Sequence, residues 1–217
     1  MVNLNEVVPD FPCNTTQGPI TFHAYIEGSW AILFSHPADF TPVCTTELGR
    51  VAALAPDFQR RGIKLIALSC DSVESHSAWL ADIEATQGHR VDYPIIGDED
   101  RTIATLWGML QPGLVNMSGM PLTCRSVFIL GPDKKLKLSL LYPASTGRNF
   151  DEILRVVDSL QLSAVHPIAT PVDWVPGQDC IVAISVRDED CAEKFPKGVR
   201  KVETPSGKNY LRYTPNP

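Results

Sequence analysis

The run Ser35-His36-Pro37-Ala38-Asp39-Phe40-Thr41-Pro42-Val43-Cys44-Thr45-Thr46-Glu47 holds the strongest candidate for chemistry in the chain. Pro42 suits the first position of a helix, where its fixed φ and missing N–H cost nothing. Thr41 is then the N-cap and Cys44 the third helical residue. A first helical turn presents free backbone N–H groups and the positive end of the dipole, and both favour a thiolate over a thiol. An ordinary thiol, with a pKa of ~8.5, is only a few per cent ionised at neutral pH; lowering that by ~2 units, or about 2.7 kcal/mol, makes it a ready nucleophile. The helix end supplies ~1 kcal/mol, so a cation is needed as well. Arg125 is the candidate, because it stands just before the apolar run Ser126 to Leu130. At a strand end it can reach a neighbouring strand-to-helix junction, and its fork of N–H donors suits sulfur and oxygen anions alike. Glu47, one turn after Cys44, can orient Arg125 or be a helix-surface carboxylate. His36 can meet the sulfur or serve a structural role.

The other cysteines are Cys13, Cys70, Cys124, Cys180 and Cys191. They form no CxxC pair and no zinc-like spacing with histidine, so they read as reduced thiols rather than a disulfide framework. Cys13, Cys70 and Cys124 are expected to be structural, with Cys124 able to modulate its neighbour Arg125. The missing CxxC disfavours a disulfide reductase.

The elements that must position Cys44 follow from hydrophobic pattern. Short apolar runs bounded by turn residues predict strands at Trp30 to Ser35, Ile63 to Ser69, Ser126 to Leu130 and Lys135 to Leu141, with a weaker one around Tyr93 to Ile96. The last two of the strong runs flank Gly131-Pro132-Asp133 and pair as a hairpin. Helical spacing covers Pro42 to Arg60, with a kink or division at Pro56, then Val73 to Gln87, Arg101 to Met109 and Asn149 to Gln161. Asn149 with Glu152 is a variant capping box for the last. Alternating strands and helices predict an α/β domain with a mostly parallel sheet and helices on both faces. The hairpin makes it a mixed central sheet, similar to a thioredoxin-like fold. After Leu162 prolines break up the chain and one apolar run remains, Cys180 to Val186. We therefore expect a domain over residues 1–163 and a small C-terminal domain over 164–217, too small to hold a core alone.

Composition narrows the partners. The chain has 217 residues, 44% apolar and 20% charged, with a formal charge of -6. No basic stripe suggests nucleic acid, no apolar run reaches the ~18 residues of a membrane span, and Met1 to Cys13 lacks the pattern of a signal peptide. A cytoplasmic location is the expectation.

The string Pro37-x-x-x-Thr41-x-x-Cys44 resembles the peroxidatic motif of peroxiredoxins. HPADFTPVCTTELGR, GPDKKLKLSLLYPASTGRNFDEILRVVDSLQL, TPVDW and FPKG…PSGKNYLRYTP resemble the one-cysteine branch, of peroxiredoxin-6 type, in the AhpC/TSA superfamily. The likeness covers essentially the whole chain; residues 88–91 and 175–193 match least. It implies a thiol peroxidase that reduces hydrogen peroxide and organic hydroperoxides, with an antioxidant role in redox homeostasis. Cys44 would be the nucleophile and Thr41 would hydrogen-bond the peroxide. Pro37 would shield the pocket, and Arg125 would stabilise the thiolate and the displaced oxygen. The product is a sulfenic acid. Two-cysteine relatives resolve it with a Val-Cys-Pro cysteine, absent here, so an external thiol, with glutathione favoured, is expected. Resolution by Cys180 or Cys191 is the alternative, disfavoured by the adjacent Asp179 and Asp190.

The same branch is associated with a phospholipase A2 activity, and its serine, histidine and aspartate fall on Ser29, His23 and Asp133. The local text Glu27-Gly28-Ser29-Trp30-Ala31 lacks both glycines of a Gly-x-Ser-x-Gly elbow, which favours an ordinary loop serine. No metal, flavin or haem is implied. The resemblance implies a homodimer assembled through the C-terminal domain; Arg148, in the string Thr146-Gly147-Arg148-Asn149, reads as either a helix-start or an interface residue. A chaperone working without Cys44 is the non-enzymatic alternative.

Overall fold

The computed structural model describes residues 2–217. The chain divides into two compact units, Met1–Phe150 and Asp151–Pro217. The first contains β1 (Pro12–Thr15), β2 (Gly18–Thr21), α1 (Phe22–Tyr25), β3 (Trp30–Ser35), α2 (Pro42–Ala53), α3 (Ala55–Arg60) and β4 (Ile63–Ser69). It continues through α4 (Val73–Gln87), β5 (Ile95–Gly97), α5 (Thr102–Trp107), β6 (Leu110–Val115), β7 (Pro121–Thr123), β8 (Arg125–Leu130) and β9 (Leu136–Tyr142).

Seven strands form the central sheet in the order β2-β1-β5-β4-β3-β8-β9. The pairs β3–β4 and β4–β5 are parallel. The other four pairings are antiparallel, which corrects the expectation of a mostly parallel sheet. The correction comes from β8, which runs antiparallel to β3, and from the hairpin β1–β2, which the pattern of Pro12 to Thr21 does not announce because it lacks apolar alternation. Its turn is set by Gly18, at φ +98, and by the Thr15 hydroxyl, which donates to the Gly18 carbonyl at 2.7 Å. A left-handed φ of this kind is open to glycine at little cost.

The site sits where the sheet is most apolar. Strands β3, β4 and β8 are buried along nearly their whole length, so their side chains meet covered surface on both faces. Ala31 and Leu33 join Ile66, Leu68, Phe22, Trp107 and Phe128 in one core cluster. From the other face of β3, Phe34 meets the rings of Tyr93 and Phe150 edge-on at 5.6 and 6.1 Å. The long predicted helix divides at Leu54, with Pro56 in the first turn of α3, where a missing N–H is tolerated. Helix α4 is capped by the Ser72 hydroxyl, which accepts from Ser75 N–H at 3.1 Å.

The second unit begins inside α6 (Phe150–Val165), which opens directly after Asn149. It continues with β10 (Ile168–Ala169), β11 (Cys180–Val182), α7 (Cys191–Lys194), β12 (Arg200–Lys201) and β13 (Arg212–Thr214). These strands form an antiparallel sheet in the order β10-β11-β13-β12. Trp174, Cys180, Val182, Val186, Cys191 and Phe195 are buried together with Ile168. Among the described residues no helix is long and apolar enough to cross a membrane.

Candidate active site

Thr41 is the N-cap of α2 and Pro42 its first residue, which puts Cys44 in the first turn. The Thr41 hydroxyl does not cap the helix; it donates back to the Ala38 carbonyl at 2.8 Å. Cys44 is fully buried, and Pro37 is buried beside the strand end.

Arg125 opens β8 and points at the sulfur. Its Nη1 lies 3.3 Å from Cys44 Sγ and 2.7 Å from Glu47 Oε2. Its Nε and Nη2 both donate to the Ala144 carbonyl, at 2.9 and 2.7 Å. The guanidinium is thereby fixed in plane as well as in place. Burial works against its charge, but the Cys44 sulfur and the Glu47 carboxylate outweigh this and raise the Arg125 pKa above its ordinary value.

Glu47 is a shared counter-ion rather than a helix-surface carboxylate. Arg148 reaches it with its backbone N–H and Nε, at 2.7 and 2.9 Å from Oε1, and with Nη2 at 2.7 Å from Oε2. Burial pushes the Glu47 carboxyl up, and the bonds from Arg148, joined by the charge of Arg125, more than reverse that, so it stays below the usual range. Arg148 also donates to the Ser126 carbonyl at 2.7 Å and lies over the rings of Phe34 and Phe150. Its side chain is 0% exposed. The sequence reading, which put Arg148 at a helix start or an interface, missed this. The only local signal is its place just before α6; its partners are distant in sequence.

His36 directs Nε2 at Asp39 Oδ1, 2.8 Å away, rather than at the sulfur. Burial pulls its pKa down against the pull of Asp39. His36, Asp39 and His76 bring ligand-type atoms within 4.8 Å of one another. Each carboxylate oxygen, however, lies 2.7–2.8 Å from an imidazole nitrogen, the spacing of shared hydrogens.

The Ser29, His23 and Asp133 side chains do not form a hydrogen-bonded relay. Ser29 Oγ donates to the Glu27 carbonyl at 3.4 Å, His23 Nε2 donates to the Val8 carbonyl at 2.9 Å, and the Asp133 carboxylate accepts from Lys137 at 2.7 Å. Four of the other thiols are held protonated. Burial pushes Cys13 up to about 12 and Cys70 to about 11, and it raises Cys124 and Cys180 as well.

A cysteine at a helix start with an arginine locked onto its sulfur, on this sheet, defines a class. The AhpC/TSA family model matches residues 4–139, and the model of the C-terminal domain of 1-Cys peroxiredoxin matches residues 159–198. The chain belongs to the AhpC/TSA family: it is a 1-Cys peroxiredoxin, a thiol-dependent peroxidase on a thioredoxin-like fold. Its likeness to particular proteins is full-length. It is 60% identical to Peroxiredoxin-6 of Rattus norvegicus and 58% identical to Peroxiredoxin-6 of Homo sapiens, over 99% of this chain and 97% of each relative. A cysteine-to-serine mutant of the peroxiredoxin 6 of Arenicola marina superposes with a TM-score of 0.98 at 55% identity, covering 100% of this chain and 99% of that one. A yeast mitochondrial 1-Cys peroxiredoxin, described with a thiol resolving mechanism via glutathione/thioredoxin systems, gives 0.90 at 42% identity, over 99% of this chain and 100% of that one.

Proposed function

We propose that Cys44 is the nucleophile that attacks peroxide and that an external thiol, glutathione being the favoured one, closes the cycle. The observation that carries the nucleophile is charge balance. Arg125 and Arg148 bring two positive charges into a buried cluster, and Glu47 supplies one negative charge. An uncompensated buried cation is costly, and a thiolate on Cys44, 3.3 Å from Arg125, supplies the missing anion.

The sulfur attacks one peroxide oxygen; an S–O bond forms, the O–O bond breaks, and the leaving oxygen departs as hydroxide or alkoxide and takes up a proton. Arg125 meets the charge that develops there. Of its five N–H groups, four are engaged with Ala144, Glu47 and Cys44, which leaves one for the peroxide. Thr41 spends its hydroxyl hydrogen on Ala38, so its lone pairs are available to accept from the peroxide O–H. Pro37 covers the pocket. The sulfenic acid then takes an external thiol, forming a mixed disulfide and water, and a second thiol releases Cys44. Hydrogen peroxide and organic hydroperoxides are the substrates of this reading, and a cytosolic homodimer is its working form.

Rapid mixing with hydrogen peroxide in the presence of a sulfenic acid trap tests the assignment. Native protein traps, and Cys44→Ser does not. Trapping that persists in the variant, with unchanged peroxide consumption, rejects it.

A further inference from the structure

The C-terminal unit places a second sulfur beside a buried guanidinium. Cys191 opens α7, directly after a tight helical turn over Asp188–Asp190. Arg212 opens β13 and directs Nη1 at the sulfur, 3.7 Å from Cys191 Sγ. The same nitrogen donates to Asp188 Oδ1 at 3.0 Å, and Nη2 donates to the Ala183 carbonyl at 3.0 Å. Arg212 is 5% exposed, and its Nε–H is buried with no acceptor among the described residues. A buried donor left unmet is costly, so this corner of the fold is short of an acceptor.

Charge shows the same shortfall. Among the described residues the carboxylate on Arg212 is that of Asp188, and Lys201 shares it, with Nζ 2.6 Å from Oδ2. Asp190, which precedes Cys191, spends both oxygens on Arg187, each at 3.0 Å. The acids next to Cys191 are thus drawn off by Arg187, Lys201 and Arg212, and the guanidinium faces the sulfur with a shared counter-ion. On its other side the thiol meets the Arg187 carbonyl at 3.5 Å. A cation beside a sulfur favours the thiolate, which is the form that attacks disulfides.

The remaining thiols outside the peroxide site lack this setting, and burial pushes Cys13, Cys70, Cys124 and Cys180 toward the neutral form. Cys191 is 8% exposed, while Ala192 and Glu193 beside it are fully at the surface. We propose that Cys191 is a thiolation site, at which the sulfur takes up a small carboxylate-bearing disulfide, of the class of oxidised glutathione, as a mixed disulfide. Cys191 Sγ attacks one sulfur of that disulfide. A new S–S bond forms as the old one breaks, and the other half leaves as a thiolate that takes up a proton. Cys191 is oxidised and the leaving half is reduced. The carboxylates that arrive with the adduct answer the unmet donor of Arg212 and the excess of cations around Asp188. This chemistry uses no peroxide and does not depend on the assignment of Cys44.

The full chain carrying Cys44→Ser, which removes a competing sulfur, is incubated with oxidised glutathione, and intact mass with peptide mapping follows the adduct. One glutathione should add, at Cys191, and a further Cys191→Ser change should abolish it. Arg212→Met should slow addition about tenfold or more, the scale of taking an opposite charge away from an ionising group. Two surface changes decide the matter if Arg212→Met does not fold. Asp188→Asn leaves the guanidinium to the sulfur and should speed addition, whereas Lys201→Met leaves Asp188 wholly to Arg212 and should slow it. Mere loosening of the turn would speed both. No adduct, an adduct on Cys13 in place of Cys191, or Asp188 and Lys201 variants whose rates stay at the native value or move in the same direction would overturn the proposal.

Discussion

At the scale of single residues, the site depends on geometry that only a guanidinium provides. Arg125 spans a carbonyl, a carboxylate and a sulfur at once through a planar fork. A lysine carries the same charge but cannot hold three directions. Arg125→Lys should therefore keep the fold while lowering the second-order rate with hydrogen peroxide by about a hundredfold, the scale of losing one preorganised donor. Stopped-flow kinetics measure this, and a rate within a factor of about two of native would show that charge alone suffices. Cys44 and Arg125 were legible in the sequence because each lies at the end of a recognisable element. Arg148 was not legible. Its significance rests on Glu47, 101 positions away, and on the Ser126 carbonyl, 22 positions away. No local pattern encodes those separations.

At the scale of elements, Glu47 fastens α2 to the segment that precedes α6. Its carboxyl is more acidic in the fold than in the unfolded chain. The stabilisation is therefore full above the unfolded value of ~4.3 and is lost as pH falls through the lower folded value. Removing one partner of such a buried set costs about 3–5 kcal/mol. Glu47→Gln should melt well below the native protein at pH 7, and the gap should narrow as pH drops below ~4. Melting curves followed by circular dichroism from about pH 7 to about pH 3 check this; a gap that stays constant would assign the loss to packing instead. The same contrast explains which elements the sequence announced. β3, β4 and α4 have the bounds expected for them, because long apolar runs and a Ser72-to-Gly88 frame mark them. The β1–β2 hairpin and the two- and three-residue strands between residues 168 and 214 carry too few side chains for a period to register.

At the scale of the whole molecule, the six sulfurs divide by environment. Four of them are pushed toward the neutral form by burial; Cys191 lies 3.7 Å from Arg212 Nη1, and Cys44 has the nearer guanidinium, Arg125 at 3.3 Å, backed by the Glu47–Arg148 pair. That division suits a catalyst that meets oxidants throughout its life, since neutral thiols react slowly.

Full enclosure of Cys44 has one more consequence. On the cycle proposed above, each turnover adds an oxygen atom to a sulfur that has no exposed surface. Close-packed interiors resist even one extra heavy atom, at about 1–3 kcal/mol. The singly oxidised protein should accordingly unfold a few degrees lower than the reduced one in calorimetry, and coincident transitions would reveal spare volume beside the sulfur. The enzyme would then be stiffest while it waits for peroxide and softest just after it has consumed one.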